Sequence, residues 1–459
     1  MPVATATLAR LQVFQPSVDR LRRLILGRLI LACALTGALL PPAALASGPD
    51  RPFTTPVARD AQASGSISRS GLRQLLGREM RKAPGSSGAW VYDTKNDDVV
   101  YAKSSTTRRI PASNVKLLTT AAAFGKFGSG ASLHTEIWRT GTLQGSTLRG
   151  SLFLVGGGDP ALSSGTFGRR YTHGVYSPLA SLASKVKAAG IRKVTGKLYF
   201  DDSVFDHKRG VYDSGYRTSP WIGPLSGLGY NSGYSSDSAR GFASDPAKVA
   251  AARLIKALKS KGISLTSTTR LKVRPDSPTA LKIGRVASPS MRRLIRETAL
   301  YSNNHWAEML LKALGARFRG NGTTKAGTSA VRGFMENELN VHGFSQIDGS
   351  GLSRPNRMAP AATGTLLRKM RTQPDHQDFE VALPMAGRQG TLRNRMRGSA
   401  AEGNCRAKTG TLRDVSALSG YCYNGNGRVM VFSIMMNGVG NISAAKQIED
   451  RMAAGIARY

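Results

Sequence analysis

The period of the hydrophobic pattern changes several times along the chain, and each change predicts a different element. Apolar residues recur at helical spacing from about Leu72 to Arg81, which predicts a first helix. From Ser87 to Ala102 the spacing drops to two: Ala89-Trp90-Val91-Tyr92 and Val99-Val100-Tyr101 flank Lys95-Asn96-Asp97-Asp98, the signature of two strands joined by a turn. After Pro111, the positions Val115, Leu117, Leu118, Ala121, Ala122 and Phe124 outline a buried helix that ends near Phe127. From about residue 140 the texture turns to short strands punctuated by glycine, such as 148–155 and 196–200, around one amphipathic helix near Pro178 to Ala189. Helical spacing returns from Ser288 through Leu314. The chain then closes with strands over 416–423 and 428–436 and a helix from Ser443 to Ile456. The expected fold is α+β, with residues 68–139 and 285–459 forming one body and 140–284 a β-rich insertion.

The first 46 residues follow another logic. Arg20, Arg22, Arg23 and Arg28 precede an apolar run from Leu29 to Leu40, and Ala44-Leu45-Ala46 supplies small residues for cleavage before Ser47, as in a secretory signal. An uncleaved membrane anchor is the alternative, but the run is well short of the ~20 residues that a span requires. The basic leader is long for a signal, which leaves room for an internal start. Residues 47–67 are rich in Pro, Ser, Ala and Thr without periodicity and read as a flexible leader. Either reading of the first segment puts the rest of the chain outside the cytoplasmic membrane, in the periplasm or at the cell wall.

Export changes how the remaining composition is read. Cys33 belongs to the signal, leaving Cys405 and Cys422 in an oxidising compartment. If Arg413-Asp414 turns a hairpin, Leu412 faces Val415, and counting outward sets Cys405 opposite Cys422, within reach of a disulfide. The six histidines are scattered without metal-ligand spacing, so no metal and no cofactor are expected. A formal charge of +37 would suggest nucleic acid in a cytoplasmic protein. No recognition helix or aromatic-basic interleaving supports that, and outside the membrane the available polyanions are anionic envelope polymers and the lipid surface. A solvated basic surface with no partner explains the charge equally well.

Three short motifs carry chemistry together. Ser-x-x-Lys occurs at Ser113-Asn114-Val115-Lys116, Ser-x-Asn at Ser302-Asn303-Asn304, and Lys-Thr-Gly at Lys408-Thr409-Gly410, followed by Thr411. The first pattern alone is weak, since Ser184 to Lys187 and Ser443 to Lys446 also match it. Order selects among them: Ser443 follows both later motifs, and Ser184 lies in the predicted amphipathic helix of the insertion. Ser113 remains. A serine hydroxyl needs a base within hydrogen-bond reach, and a lysine three positions on lies one helical turn away over the same face. Burial and a neighbouring cation such as Lys408 would let Lys116 lose its proton near neutral pH. Ser302 would relay a proton to the leaving amine while Asn304 orients Lys116 and the substrate amide. Thr409 and Thr411 would bind a terminal carboxylate beside an edge strand, with Gly410 allowing substrate close to the backbone. The N–H groups of Ser113 and Thr411 would form the oxyanion hole. Tyr301-Ser302-Asn303 also reads as Tyr-x-Asn, with the tyrosine as relay; the Ser302 and Asn304 reading is preferred.

With these motifs the chain resembles the low-molecular-mass class C penicillin-binding proteins, D-Ala-D-Ala carboxypeptidases and endopeptidases. Gly157-Gly158-Asp159-Pro160, Asp348 to Arg354, Ala386-Gly387 with Gly390-Thr391-Leu392, and Leu418 to Tyr421 extend the likeness over nearly the whole mature chain. The resemblance implies a transpeptidase-like, β-lactamase-like catalytic domain with β-rich inserted domains between the first two motifs. It also implies action on peptidoglycan peptides through an acyl-enzyme, with β-lactams as covalent inhibitors, and a substrate-side role for Arg354. Family members that grip an amino group on the substrate side chain often use an acid after a tryptophan-rich stretch; here only Asp213 remains, in Gly210-Val211-Tyr212-Asp213. Asp159 reads as a turn former. Two rival functions stay open. A β-lactamase needs a deacylating Glu-x-x-x-Asn, which only Glu336 with Asn340 fits, inside an apparent helix end; a non-enzymatic wall-binding protein would have no use for three intact motifs.

Overall fold

A computed structural model describes residues 65–459 apart from 266, 271–279 and 425–426. The predicted signal segment 1–46 and all but the end of the 47–67 leader lie outside the described residues. No helix among them is long and apolar enough to cross a membrane.

The central sheet is built from both ends of the chain. Its five strands run in the order Cys405–Leu412, Val415–Tyr423, Val429–Asn437, Ser87–Asp93, Asp98–Lys103, all antiparallel. Every residue of Ser87–Asp93 is buried because both faces of the sheet are covered. Alternation sorts the side chains. Ala89 and Val91 pack with Leu72, Leu76, Met452 and Ile456 from the helices Arg69–Lys82 and Ile442–Ala457. Trp90 and Tyr92 point the other way, to a core with Leu117, Leu118, Leu310, Leu366 and Leu367. Burying each such leucine contributes about 1.5–3 kcal/mol, so the strand is fixed in register by two cores at once.

A second five-stranded sheet, in the order Thr268–Arg270, Leu198–Asp201, Leu152–Val155, His134–Arg139, Leu281–Ala287, occupies the segment between the first two motifs. Its core of Leu152, Leu154, Leu198 and Phe200 is closed by Leu182 and Val186 from Ser181–Ala188 and by Leu254 and Leu258 from Pro246–Ser260. This segment carries more helix than its texture suggests: Gly165–Tyr171 and the fifteen-residue Pro246–Ser260 join the expected one. The latter hid because its buried stripe begins with small residues, Ala247, Ala250 and Ala251, before Leu254 and Leu258; Asp245 caps it and Pro246 fills its first turn. The expected 148–155 strand is two strands in different sheets. Thr147–Arg149 pairs with Thr142–Gln144, while Leu152–Val155 lies between His134–Arg139 and Leu198–Asp201.

The helical run expected from 288 to 314 is likewise broken, into Met291–Leu300 and Asn304–Arg319. Asn303 caps the second helix by accepting from the Trp306 N–H at 3.1 Å, and Ser302 between the two takes φ of 56°. The break is the second motif itself.

Candidate active site

Ser113 lies in a single 3-10 turn, Ala112–Asn114, that leads into the helix Val115–Phe127. Ala112 holds φ of 47°, a conformation costly for a residue with a Cβ, and it turns the chain sharply just before the hydroxyl. Gly351 packs against this turn: a Cβ there would come within 1.9 Å of the Ala112 carbonyl oxygen, so only glycine fits.

One helical turn after Ser113, Lys116 is fully buried and its ammonium meets three oxygens. Ser113 Oγ lies at 3.1 Å, Asn304 Oδ1 at 2.7 Å and the Ser350 carbonyl at 2.6 Å. Two of these can only accept. A neutral amine has two N–H bonds and one lone pair, so with both N–H groups given to Asn304 and Ser350 the lone pair faces the one partner able to donate, Ser113. The Asn304 amide is held in that sense, since its Nδ2 donates to the Trp221 carbonyl at 3.1 Å. Burial pushes Lys116 down to about 7, against the opposing pull of the Asp348 and Glu308 carboxylates.

The other wall is formed by the second and third motifs. Lys408, also fully buried, donates to Ser302 Oγ at 2.9 Å and to the Thr409 carbonyl at 2.9 Å. Burial first, and the Lys116 charge second, push it well below the usual lysine range. Cys405–Leu412 is the edge strand of the central sheet, with Thr409 half-buried and Thr411 exposed. Thr409 Oγ1 shares a 2.8 Å hydrogen bond with Thr391 Oγ1. Asn114 Nδ2 donates to the Lys408 carbonyl at 3.2 Å and ties the strand to the Ser113 turn. Gly410 answers to the same contact. A Cβ there would meet the Pro111 carbonyl oxygen at 2.7 Å and Asn114 Nδ2 at 2.9 Å, so the missing side chain faces the Ser113 turn, a different demand from the substrate approach expected of it.

The structure thus brings Ser113, Lys116, Ser302, Asn304 and Lys408 into one cluster. Ser184 and Ser443, the other Ser-x-x-Lys serines, are exposed on the faces of separate helices. Tyr301 stacks flat on His173 with ring centroids 3.4 Å apart, and Asn303 is used as a helix cap, so neither contacts Lys116. Arg354 and Asp213 meet at the surface: the Arg354 N–H donates to Asp213 Oδ2 at 2.8 Å. The Arg354 guanidinium makes a two-pronged pair with Asp414 at 2.8 and 3.0 Å, which links the 348–354 loop to the turn between the strands Cys405–Leu412 and Val415–Tyr423. Asp159 is buried and accepts from the Ala161 N–H at 2.8 Å, as a turn former does. Glu336 sits on the helical turn Phe334–Glu338. Cys405 and Cys422 face each other across the hairpin and form a disulfide with Cα atoms 4.1 Å apart.

Several contributors were not legible as motifs. Glu308 accepts from the Ser350 N–H at 2.7 Å; it stands four residues after Asn304 on the same helix, a spacing that puts both on one face. The Ser350 and Trp221 carbonyls have no sequence signal, because any residue supplies a carbonyl.

Fold and site together define a serine peptidase of the penicillin-binding class. The chain belongs to the D-Ala-D-Ala carboxypeptidase 3 (S13) family, whose profile matches residues 79–240 and 232–459. It is 31% identical to a D-alanyl-D-alanine carboxypeptidase of Actinomadura sp. (strain R39) over 81% of each chain. A carboxypeptidase DacB of Mycolicibacterium smegmatis is 30% identical over 72% of each. Among solved structures, penicillin binding protein 4 (dacB) of Haemophilus influenzae superposes with a TM-score of 0.68 at 22% identity, covering 82% of this chain and 97% of that one, which shows the shared α+β fold.

Proposed function

We propose that the chain cleaves the D-Ala-D-Ala end or cross-bridge of peptidoglycan peptides through an ester on Ser113. The observation that carries this is the coordination of Lys116: two pure acceptors take its N–H groups and its lone pair is left for the Ser113 hydroxyl. Neutral Lys116 removes the hydroxyl proton as Ser113 Oγ attacks the carbonyl of the penultimate D-alanine. The developing oxyanion is received by the N–H groups of Ser113 and Thr411. Ser302, itself hydrogen-bonded to Lys408, delivers the proton to the departing amine. Lys408, with the hydroxyls of Thr409 and Thr411, provides donors for the substrate's terminal carboxylate. Water then hydrolyses the ester, with the proton path reversed. A β-lactam presents a strained amide to the same serine, and its leaving amine stays tethered, so its ester persists.

In this reading Arg354 and Asp213 line the substrate's peptide end, and residues 140–284, together with the flanking residues 134–139 and 285–287 whose strands complete their sheet, form an inserted unit that walls the cleft through the Trp221 carbonyl. The signal-like 1–46 segment directs the chain out of the cytoplasm, where the basic surface keeps it beside anionic envelope polymers or the membrane. Incubation with purified muropeptides tests the activity. Pentapeptides shortened to tetrapeptides indicate carboxypeptidase action, and dimers converted to monomers indicate endopeptidase action. Neither product with the native protein, or rapid penicillin turnover in place of both, overturns the reading.

A further inference from the structure

Behind Lys116 lies a buried acidic pair that the Ser113 chemistry does not use directly. Glu308, on the helix Asn304–Arg319, and Asp348, in the 348–354 loop, are both fully buried. Asp348 shapes the loop: it accepts from the N–H groups of Gly351 at 2.8 Å and Ser353 at 2.7 Å and from Asn356 Nδ2 at 2.9 Å. Glu308 meets the loop at the peptide before the Ser350 Cα, where its Oε1 accepts from the Ser350 N–H at 2.7 Å. The Ser350 carbonyl, which accepts from Lys116 Nζ at 2.6 Å, belongs to the next peptide, the one whose Gly351 N–H Asp348 holds.

We propose that Glu308 is a positioning residue for the acylation of Ser113: by holding the peptide that precedes the Ser350 Cα, as Asp348 holds the one that follows it, Glu308 helps fix the Ser350 carbonyl against Lys116 and leaves Ser113 as the partner for the lysine lone pair. The proposal rests on the reading of Ser113 and Lys116 given above. Asn304 and Glu308 occupy successive turns of one helix, so that helix supplies one Lys116 acceptor directly and steadies the other through the backbone of Ser350. With the preceding peptide released, the Ser350–Gly351 peptide would gain freedom to rotate and free one Lys116 N–H to compete for Ser113 Oγ, and the lone pair would no longer be aimed at the hydroxyl proton.

The carboxylate also acts through its charge. Burial first, and the Asp348 charge second, raise Glu308 to about 7, so the acid changes charge in the range where Lys116 does. The charged groups that bear on the pair are Lys116 from the nucleophile helix, Asp348 from the loop, Lys312 one turn further along the helix of Glu308, and Lys408 across the site through Lys116. Ionised Glu308 stabilises protonated Lys116. Its removal therefore makes the lysine easier to deprotonate and carries activity to lower pH.

The rate constant for acylation by benzylpenicillin, measured between about pH 5 and pH 9 on the native chain, Glu308→Gln and Glu308→Ala, separates the two effects. The glutamine oxygen still accepts from the Ser350 N–H but carries no charge, so the acid limb should move down by about one pH unit. Alanine removes the acceptor, and its plateau should fall about tenfold or more. Thermal unfolding and end-point labelling of each variant count the folded, competent sites. If the alanine variant does not fold, the isosteric glutamine variant decides alone. A glutamine profile that superposes on the native one overturns the proposal, as does an alanine plateau within about twofold of native. Failure of the native chain to be acylated would instead overturn the Ser113 assignment, a result distinguishable from either.

Discussion

Lys116 Nζ donates to Asn304 Oδ1 at 2.7 Å, a contact that joins two helices separated by 188 positions in the chain. Between them lie the whole second sheet and its helices, so Lys116 is oriented only when the segments on either side of that unit have folded together. The contact also fixes the protonation chemistry: a lysine held between two carbonyl-type acceptors, in a site that burial makes unfavourable for charge, is poised to act as a base.

The first prediction is a pH dependence. Lys116 is pushed down to about 7, and only its neutral form can take the Ser113 proton, so the acylation rate should be low in acid and rise through about pH 7. Lys116→Arg, which stays protonated at all working pH, should remove the rise along with nearly all activity. Stopped-flow acylation by a chromogenic β-lactam reads both.

Ser302 is the one side-chain partner that Lys408 has in the site. Ser302→Ala should lower kcat for a D-Ala-D-Ala peptide by about 10²–10⁴-fold, the usual contribution of a positioned proton-transfer group, and change KM much less. Steady-state release of D-alanine measures this. A fall confined to KM would move Ser302 from proton relay to substrate binding.

The hairpin disulfide closes a loop with a sequence separation of 17 between Cys405 and Cys422, both fully buried. Replacing both cysteines by alanine should lower the unfolding free energy by about 3 kcal/mol, the entropic value for a loop of that size. Urea titration of the oxidised protein and the double variant gives the difference. The strand of Lys408 starts at Cys405, so the variant should also acylate more slowly near its unfolding transition.

Arg354 and Asp414 are both substantially exposed, and an exposed ion pair adds less than about 1 kcal/mol. Asp414→Asn should therefore leave the melting temperature nearly unchanged. Arg354→Ala should raise KM for a peptide substrate several-fold if the guanidinium exchanges Asp414 for the substrate. An unchanged KM would confine Arg354 to its contact with the hairpin turn.

Much of the site was legible because its chemistry requires particular side chains at fixed spacing. Ser113 with Lys116, Ser302 with Asn304, and Lys408 each need a specific functional group, and no backbone atom can substitute for it. The hairpin around Arg413-Asp414 was legible too, since strand alternation sets which residues face each other, and Cys405 does stand opposite Cys422. What escaped was of two kinds. Backbone groups such as the Ser350 and Trp221 carbonyls leave no mark on the residue type. Elements whose buried stripe is small also escaped, as in Pro246–Ser260, where alanine packs as well as leucine but carries a weak periodic signal. The motif suggests that Gly410 lets substrate approach the backbone, while the neighbours a Cβ there would meet, Pro111 and Asn114, are brought near only by the fold.

Intact-protein mass spectrometry after incubation with benzylpenicillin tests whether Ser113 forms the acyl-enzyme with Lys116 as its base. One penicilloyl adduct per native chain is expected, mapped by peptide digestion to the segment containing Ser113, and none on Ser113→Ala or Lys116→Arg over the same interval. An adduct retained by Ser113→Ala, or mapped to a serine other than Ser113, would contradict that assignment.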